Sequence, residues 1–135
     1  VRRILLALPL AAPLPGLAQN ADVELRIRYS PTLQACLDKA GSTTAAMVDC
    51  HAQEYALWDL RLNRAYQRIM SAAEVTPAAK DQLREAQRAW IAYRDRACAA
   101  RAGVESGGGT LGLIIAAACR LEMTALRAHE LEILQ

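Results

Sequence analysis

The sequence predicts an all-α protein: an up-down bundle of three long helices plus a short N-terminal helix, stapled by two disulfides. Three observations predict it. Apolar residues recur at helical spacing over most of the chain, and no run alternates with period two over strand length. Beyond residue 30 the prolines are Pro31 and Pro77, and each follows a Ser or Thr suited to a helix N-cap. Four cysteines, Cys36, Cys50, Cys98 and Cys119, fall near the ends of the predicted helices.

Ser30-Pro31 starts a short helix over about residues 31–40, and Gly41 stops it. Ser42, Thr43 and Thr44 offer caps for a long helix over about 44–73, whose apolar face is Val48, Tyr55, Trp58, Leu62, Ala65, Tyr66 and Ile69. Thr76-Pro77 opens a third helix over about 77–102, with Leu83, Ala86, Trp90, Tyr93 and Ala97 as its stripe and Gly103 as its end. A glycine-rich loop, 103–110, leads to a last helix over about 111–133, with Leu111, Ile114, Ala118, Leu121, Ala125 and Ala128 on one face. Short connections make these helices antiparallel neighbours. The core is rich in alanine and has no phenylalanine. Such side chains allow close approach but bury little apolar area each, a deficit that covalent staples offset.

Four cysteines allow three connectivities. Antiparallel neighbours bring Cys36 to Cys50 and Cys98 to Cys119 across their own connections, so these are the expected disulfides. Each closed loop contributes about 3 kcal/mol by chain entropy. Zinc is disfavoured: there is no C-x-x-C or H-x-x-x-H spacing, although His51 adjoins Cys50. No cofactor is expected.

Disulfides require an oxidising compartment, and the N-terminus is consistent with export. Arg2-Arg3 precedes a short apolar run, Ile4 to Ala12, then Pro13 and Pro15. Gly16-Leu17-Ala18 presents small residues for signal peptidase, so residues 1–18 read as a cleaved signal peptide. Residues 19–29 read as a flexible mature N-terminus, and residues 30–135 as the helical domain. The protein is then periplasmic or secreted, with no membrane association after cleavage. The whole chain carries 16 Lys+Arg against 14 Asp+Glu, and losing Arg2 and Arg3 leaves 14 against 14. A neutral domain lacks the basic surplus that nucleic-acid binding needs.

Polar residues share phase with the apolar stripes. Asp59, Asn63, Tyr66, Gln87, Trp90, Arg94, Asp95, Thr124 and Arg127 are expected to form a structural polar network that fixes helix register. Arg61 beside Asp59, and Arg94 and Arg96 beside Asp95, suit ion pairs that keep the carboxylates ionised, not tuned acids. No nucleophile elbow is present, and Gly107-Gly108-Gly109 lacks the following lysine of a phosphate loop. No catalytic residue is assigned.

Three segments in order carry a resemblance: Cys50 with Glu54 and Asp59-Leu60-Arg61-Leu62-Asn63-Arg64-Ala65-Tyr66; Leu83 through Asp95, including Gln87-Arg88-Ala89-Trp90, followed by Cys98; and Cys119-Arg120-Leu121-Glu122-Met123-Thr124 with Arg127, Glu130 and Leu131. Together they resemble the LprI-type lysozyme-inhibitor N-terminal domain family over about residues 30–133. The resemblance implies an exported helical module with cysteines near its turns. The activity it implies is inhibition of lysozyme by occlusion of the substrate cleft, and Glu105 and Ser106, in the 103–110 loop, are the candidate contacts. The other reading is an envelope module that binds another envelope protein, a peptide or cell-wall material without inhibiting lysozyme.

Overall fold

The structure is a computed structural model, and it describes residues 27–134. The expected signal peptide and its cleavage point lie outside the described residues. Four helices make up the described chain: α1 (Pro31–Ala40), α2 (Thr44–Ser71), α3 (Pro77–Ser106) and α4 (Leu111–Ile133). Among the described residues there is no strand, and no helix is long and apolar enough to cross a membrane.

The bundle is organised around α4, which packs closely against both α2 and α3; α1 lies on α2. The two outer long helices share no comparably close seam. This follows from where the apolar surface lies. The buried core is Trp58, Leu62, Ala65 and Ile69 from α2 with Leu121, Ala125, Ala128 and Leu131 from α4. Alanines at 65, 125 and 128 are wholly buried, which lets the two backbones approach closely.

Helix α3 is different. Its buried residues are Gln87, Arg94 and Cys98, with Trp90 half-buried on the same side. The apolar stripe expected on this helix is therefore displaced. Tyr93, expected to face inward, is 64% exposed, and Ala86 is exposed as well. The inward positions 83, 87, 90, 94 and 98 keep helical spacing, but two carry polar groups that hydrophobicity alone assigns outward. Leu111, expected on the inner face of α4, is also exposed, at the first position of that helix.

Both disulfides join the expected partners. Cys36–Cys50 links α1 to α2 with Cα atoms 5.7 Å apart, and Cys98–Cys119 links α3 to α4 at 5.5 Å. Helix α1 contributes no buried residue of its own. It is held by its disulfide, by Leu33 against the core and by the chain just before it.

The largest departure from the expected elements is at the α3–α4 connection. Gly103 does not end α3, which runs on through Ser106 to a C-cap at Gly107. Gly107 adopts a left-handed conformation (φ 61°) and its N–H donates to the Gly103 carbonyl, the geometry of a glycine C-cap. Glu105 and Ser106 are thus in the last turn of a helix. Ser106 Oγ donates to the Ala102 carbonyl (2.6 Å) and accepts from the Gly108 N–H (3.1 Å). Gly112 allows the tight return: a β-carbon there would stand 2.9 Å from Ser106 Oγ.

Candidate functional site

The wide spacing of α2 and α3 leaves a cleft between them, floored by α4. It measures about 420 Å³ and is lined by Val48, Ala52 and Tyr55 of α2, Arg94 and Asp95 of α3, and Ala117 and Arg120 of α4. Small side chains on the wall and floor, Ala52 and Ala117, keep it open. The cleft sits in the same half of the bundle as the Cys98–Cys119 staple, because Cys119 adjoins Arg120 and Cys98 lies one turn beyond Arg94.

Arg94 organises the cleft's inner wall. It is only 8% exposed. Its Nη1 donates to Tyr55 Oη (3.2 Å) and to Thr124 Oγ1 (3.3 Å), and its Nε donates to Asp95 Oδ1 (3.0 Å). Its Nη2 lies 2.9 Å from the same Asp95 oxygen. The guanidinium carbon stands 5.1 Å from the Trp90 ring centre and 5.7 Å from that of Tyr55, so the cation is flanked by aromatic faces. One side chain thereby ties α3 to both other long helices. Thr124 is fully buried, and Arg94 supplies a donor to its hydroxyl.

A second link continues below. Arg127 Nε donates to Gln87 Oε1 (3.0 Å), and its Nη1 donates to Glu130 (2.8 Å). The Trp90 ring approaches both guanidinium groups, its centre 5.1 Å from that of Arg94 and 5.9 Å from that of Arg127. The structure thus brings together Gln87, Trp90, Arg94, Asp95, Thr124 and Arg127 from the expected polar set. Tyr66 is half-buried against the core. Asp59 and Asn63 stand apart from this seam. Asn63 Nδ2 donates to the Asp59 carboxylate (3.0 Å) and carbonyl (2.9 Å), one turn back on the same helix. Arg61 does not pair with Asp59: it reaches across to Glu132 on α4 (2.8 Å) and stacks over Trp58. Asp59 and Arg61 are two residues apart and point to different sides of α2.

Glu105, proposed from sequence as a loop contact, forms an i,i+4 ion pair with Arg101 (2.7 Å), which also reaches Glu122 on α4 (3.0 Å). The true turn is Gly107–Thr110. Beside it stand three exposed apolar side chains: Val104, Leu111 and Leu113.

Sequence reasoning missed the role of Glu54. This carboxylate is buried and accepts from the Ser30 N–H (2.9 Å), from the Ser30 hydroxyl and from Trp58 Nε1 (3.0 Å). It fixes the entry to α1, and Tyr29 packs edge-on against Trp58 with ring centres 6.3 Å apart. Burial, followed by the nearby carboxylates of Glu122 and Glu54, raises the Tyr29 phenol above its ordinary pKa. Ile27 and Tyr29, assigned from sequence to a flexible tail, are therefore packed against the bundle. The signal was legible: Cys50, Glu54, Trp58 and Leu62 form one i,i+4 row, and all four are buried. Arg120, Ala52 and Ala117 were also missed as neighbours, because no local spacing joins three helices.

Fold and cysteine arrangement define a disulfide-stapled helical domain whose third helix docks through polar side chains. The chain belongs to the LprI family: the family described as lysozyme inhibitor LprI matches residues 36–131, from the first cysteine to the last buried leucine of α4. An uncharacterized protein of Rhizobium meliloti (strain 1021) is 34% identical over 94 residues, covering 62% of this chain and 67% of that relative. No solved structure matches the chain.

Proposed function

We propose that this protein is an exported, non-catalytic inhibitor of lysozyme that acts in the bacterial envelope or outside it. The observation that carries the reading is the extent of the family match, which takes in every cysteine and nearly the whole helical body. Two disulfides in a domain of this size suit an oxidising compartment.

The contact surface we assign to lysozyme is the end of the bundle around Gly107–Thr110. Val104, Leu111 and Leu113 are exposed there beside Glu105, an apolar group rimmed by a carboxylate. Apolar anchors surrounded by polar residues are the usual energetic centre of a protein interface. A basic enzyme surface would also find Glu105 and Glu122 nearby, both already oriented by Arg101.

The test is lysis of peptidoglycan by animal-type lysozyme, titrated with the oxidised protein and with a reduced, alkylated control. The expected result is dose-dependent inhibition by the oxidised form, weakened roughly tenfold or more by Val104→Glu combined with Leu113→Glu. Both positions are exposed, so these substitutions leave the core intact. Absence of inhibition at large molar excess would remove lysozyme as the target.

A further inference from the structure

We infer that the cleft between α2, α3 and α4 is a carboxylate-binding site, with Arg120 as the cation that meets the ligand. The inference is independent of lysozyme inhibition and concerns a different part of the surface.

The charge balance of the cleft comes first. Arg94 and Asp95 neutralise one another through two contacts to a single carboxylate oxygen. Arg120 lines the same space, is exposed and has no carboxylate partner among the described residues. The cleft therefore carries one net positive charge and calls for one negative charge from outside.

The positions of the donors come second. A guanidinium has five N–H groups. The Nε group and both Nη1 groups of Arg94 are taken by Asp95, Tyr55 and Thr124, and Nη2 has one N–H toward Asp95. One Nη2 N–H is left on a side chain locked between Trp90 and Tyr55. A rigid donor of this kind loses little entropy when a ligand accepts from it. A carboxylate has two oxygens, which suits it to accept from two guanidinium groups at once.

Size and lining come third. About 420 Å³ lies within the usual range of small-ligand sites, about 300–1,000 Å³. Val48, Ala52 and Ala117 give it an apolar side, so the ligand it takes is a carboxylate attached to a short, uncharged, small-side-chain body. A peptide supplies such a carboxylate either at its C-terminus or on an acidic side chain.

The experiment is an NMR titration of the oxidised protein with N-acetyl-Ala-Ala, with its C-terminal amide, and with N-acetyl-aspartate amide. Backbone amides of residues 52, 94, 117 and 120 report on the cleft. Saturable shifts confined to these positions are expected with a carboxylate probe, and none with the amide that lacks one. The probe that binds more tightly identifies the source as a chain terminus or a side chain. Arg120→Gln should weaken binding roughly tenfold, the loss of one charge-assisted hydrogen-bond partner. Ala52→Leu keeps every charge and should weaken binding by filling the space. Binding unchanged in Arg120→Gln, equal response to the amide, or no saturable shift with either carboxylate would each overturn the assignment.

Discussion

Replacing Arg94 by alanine is the most searching perturbation of this fold. Arg94 is the point at which α3 is joined to both α2 and α4, through Tyr55 and Thr124. Its removal leaves the Thr124 hydroxyl, which has no solvent exposure, without that donor. An orphaned buried polar group costs about 1–3 kcal/mol. The lost packing of the guanidinium against Trp90 and Tyr55 adds about 1 kcal/mol. Relief of the desolvation of a buried cation offsets part of this, so the net loss is about 2 kcal/mol. For a domain of this size that lowers the melting temperature by about 5–15 °C. Asp95→Asn is the matched control, because its carboxylate is 51% exposed and its pairing is worth under about 1 kcal/mol. Urea and thermal unfolding of the oxidised proteins, followed by circular dichroism, measure both. A loss below about 1 kcal/mol in Arg94→Ala, or equal losses in the two variants, would refute the view that buried polar links seat α3.

Three further outcomes are expected. Glu54→Ala should destabilise by about 1–3 kcal/mol, because it strips the acceptor from the Ser30 N–H, the Ser30 hydroxyl and the Trp58 indole; chemical denaturation measures it. Cys36→Ser with Cys50→Ser should release α1 locally, since that helix buries none of its own residues. Hydrogen exchange should then show lost protection over residues 31–40 while the α2–α4 core keeps its own. The Glu132 carboxylate is held below its ordinary range, first by the Arg61 hydrogen bond and against the opposing effect of burial. A depressed folded pKa contributes stability above the unfolded value, about 4.3, and loses it as pH falls through the folded value. Arg61→Gln should therefore be less stable than the parent at neutral pH, by under about 1 kcal/mol, and the difference should vanish in acid. A gap that persists at low pH would place the effect in the contact of Arg61 with Trp58 instead.

The helices were legible because their signals are local. Ser30-Pro31 and Thr76-Pro77 begin α1 and α3 at the expected residues, and Gly41 stops α1. The row Trp58, Leu62, Ala65 and Ile69 names the face of α2 that the structure buries. The end of α3 was misplaced because Gly103 and Gly107 are equal as stop signals in sequence. Gly107 opens a run of three glycines with positive φ, whereas Gly103 sits within the helix and its carbonyl accepts the capping bond. That difference removes Glu105 and Ser106 from a loop and leaves them in the last turn of α3.

By itself, the sequence determined an all-helical chain, the four segments, the cysteine pairing by nearest connection and the family to which the chain belongs. These depend on residues close along the chain or on ordered motifs. Only the tertiary structure decided that α4 is the central helix, that α3 turns a polar side inward, and that Glu54 anchors the chain before α1. It alone assembled Tyr55, Arg94 and Arg120 around one cleft. Periodicity reports which side of a helix is apolar, but Arg94 is buried because Tyr55 and Thr124, 39 and 30 residues away, meet its donors. Such compensation exists only once three helices have come together.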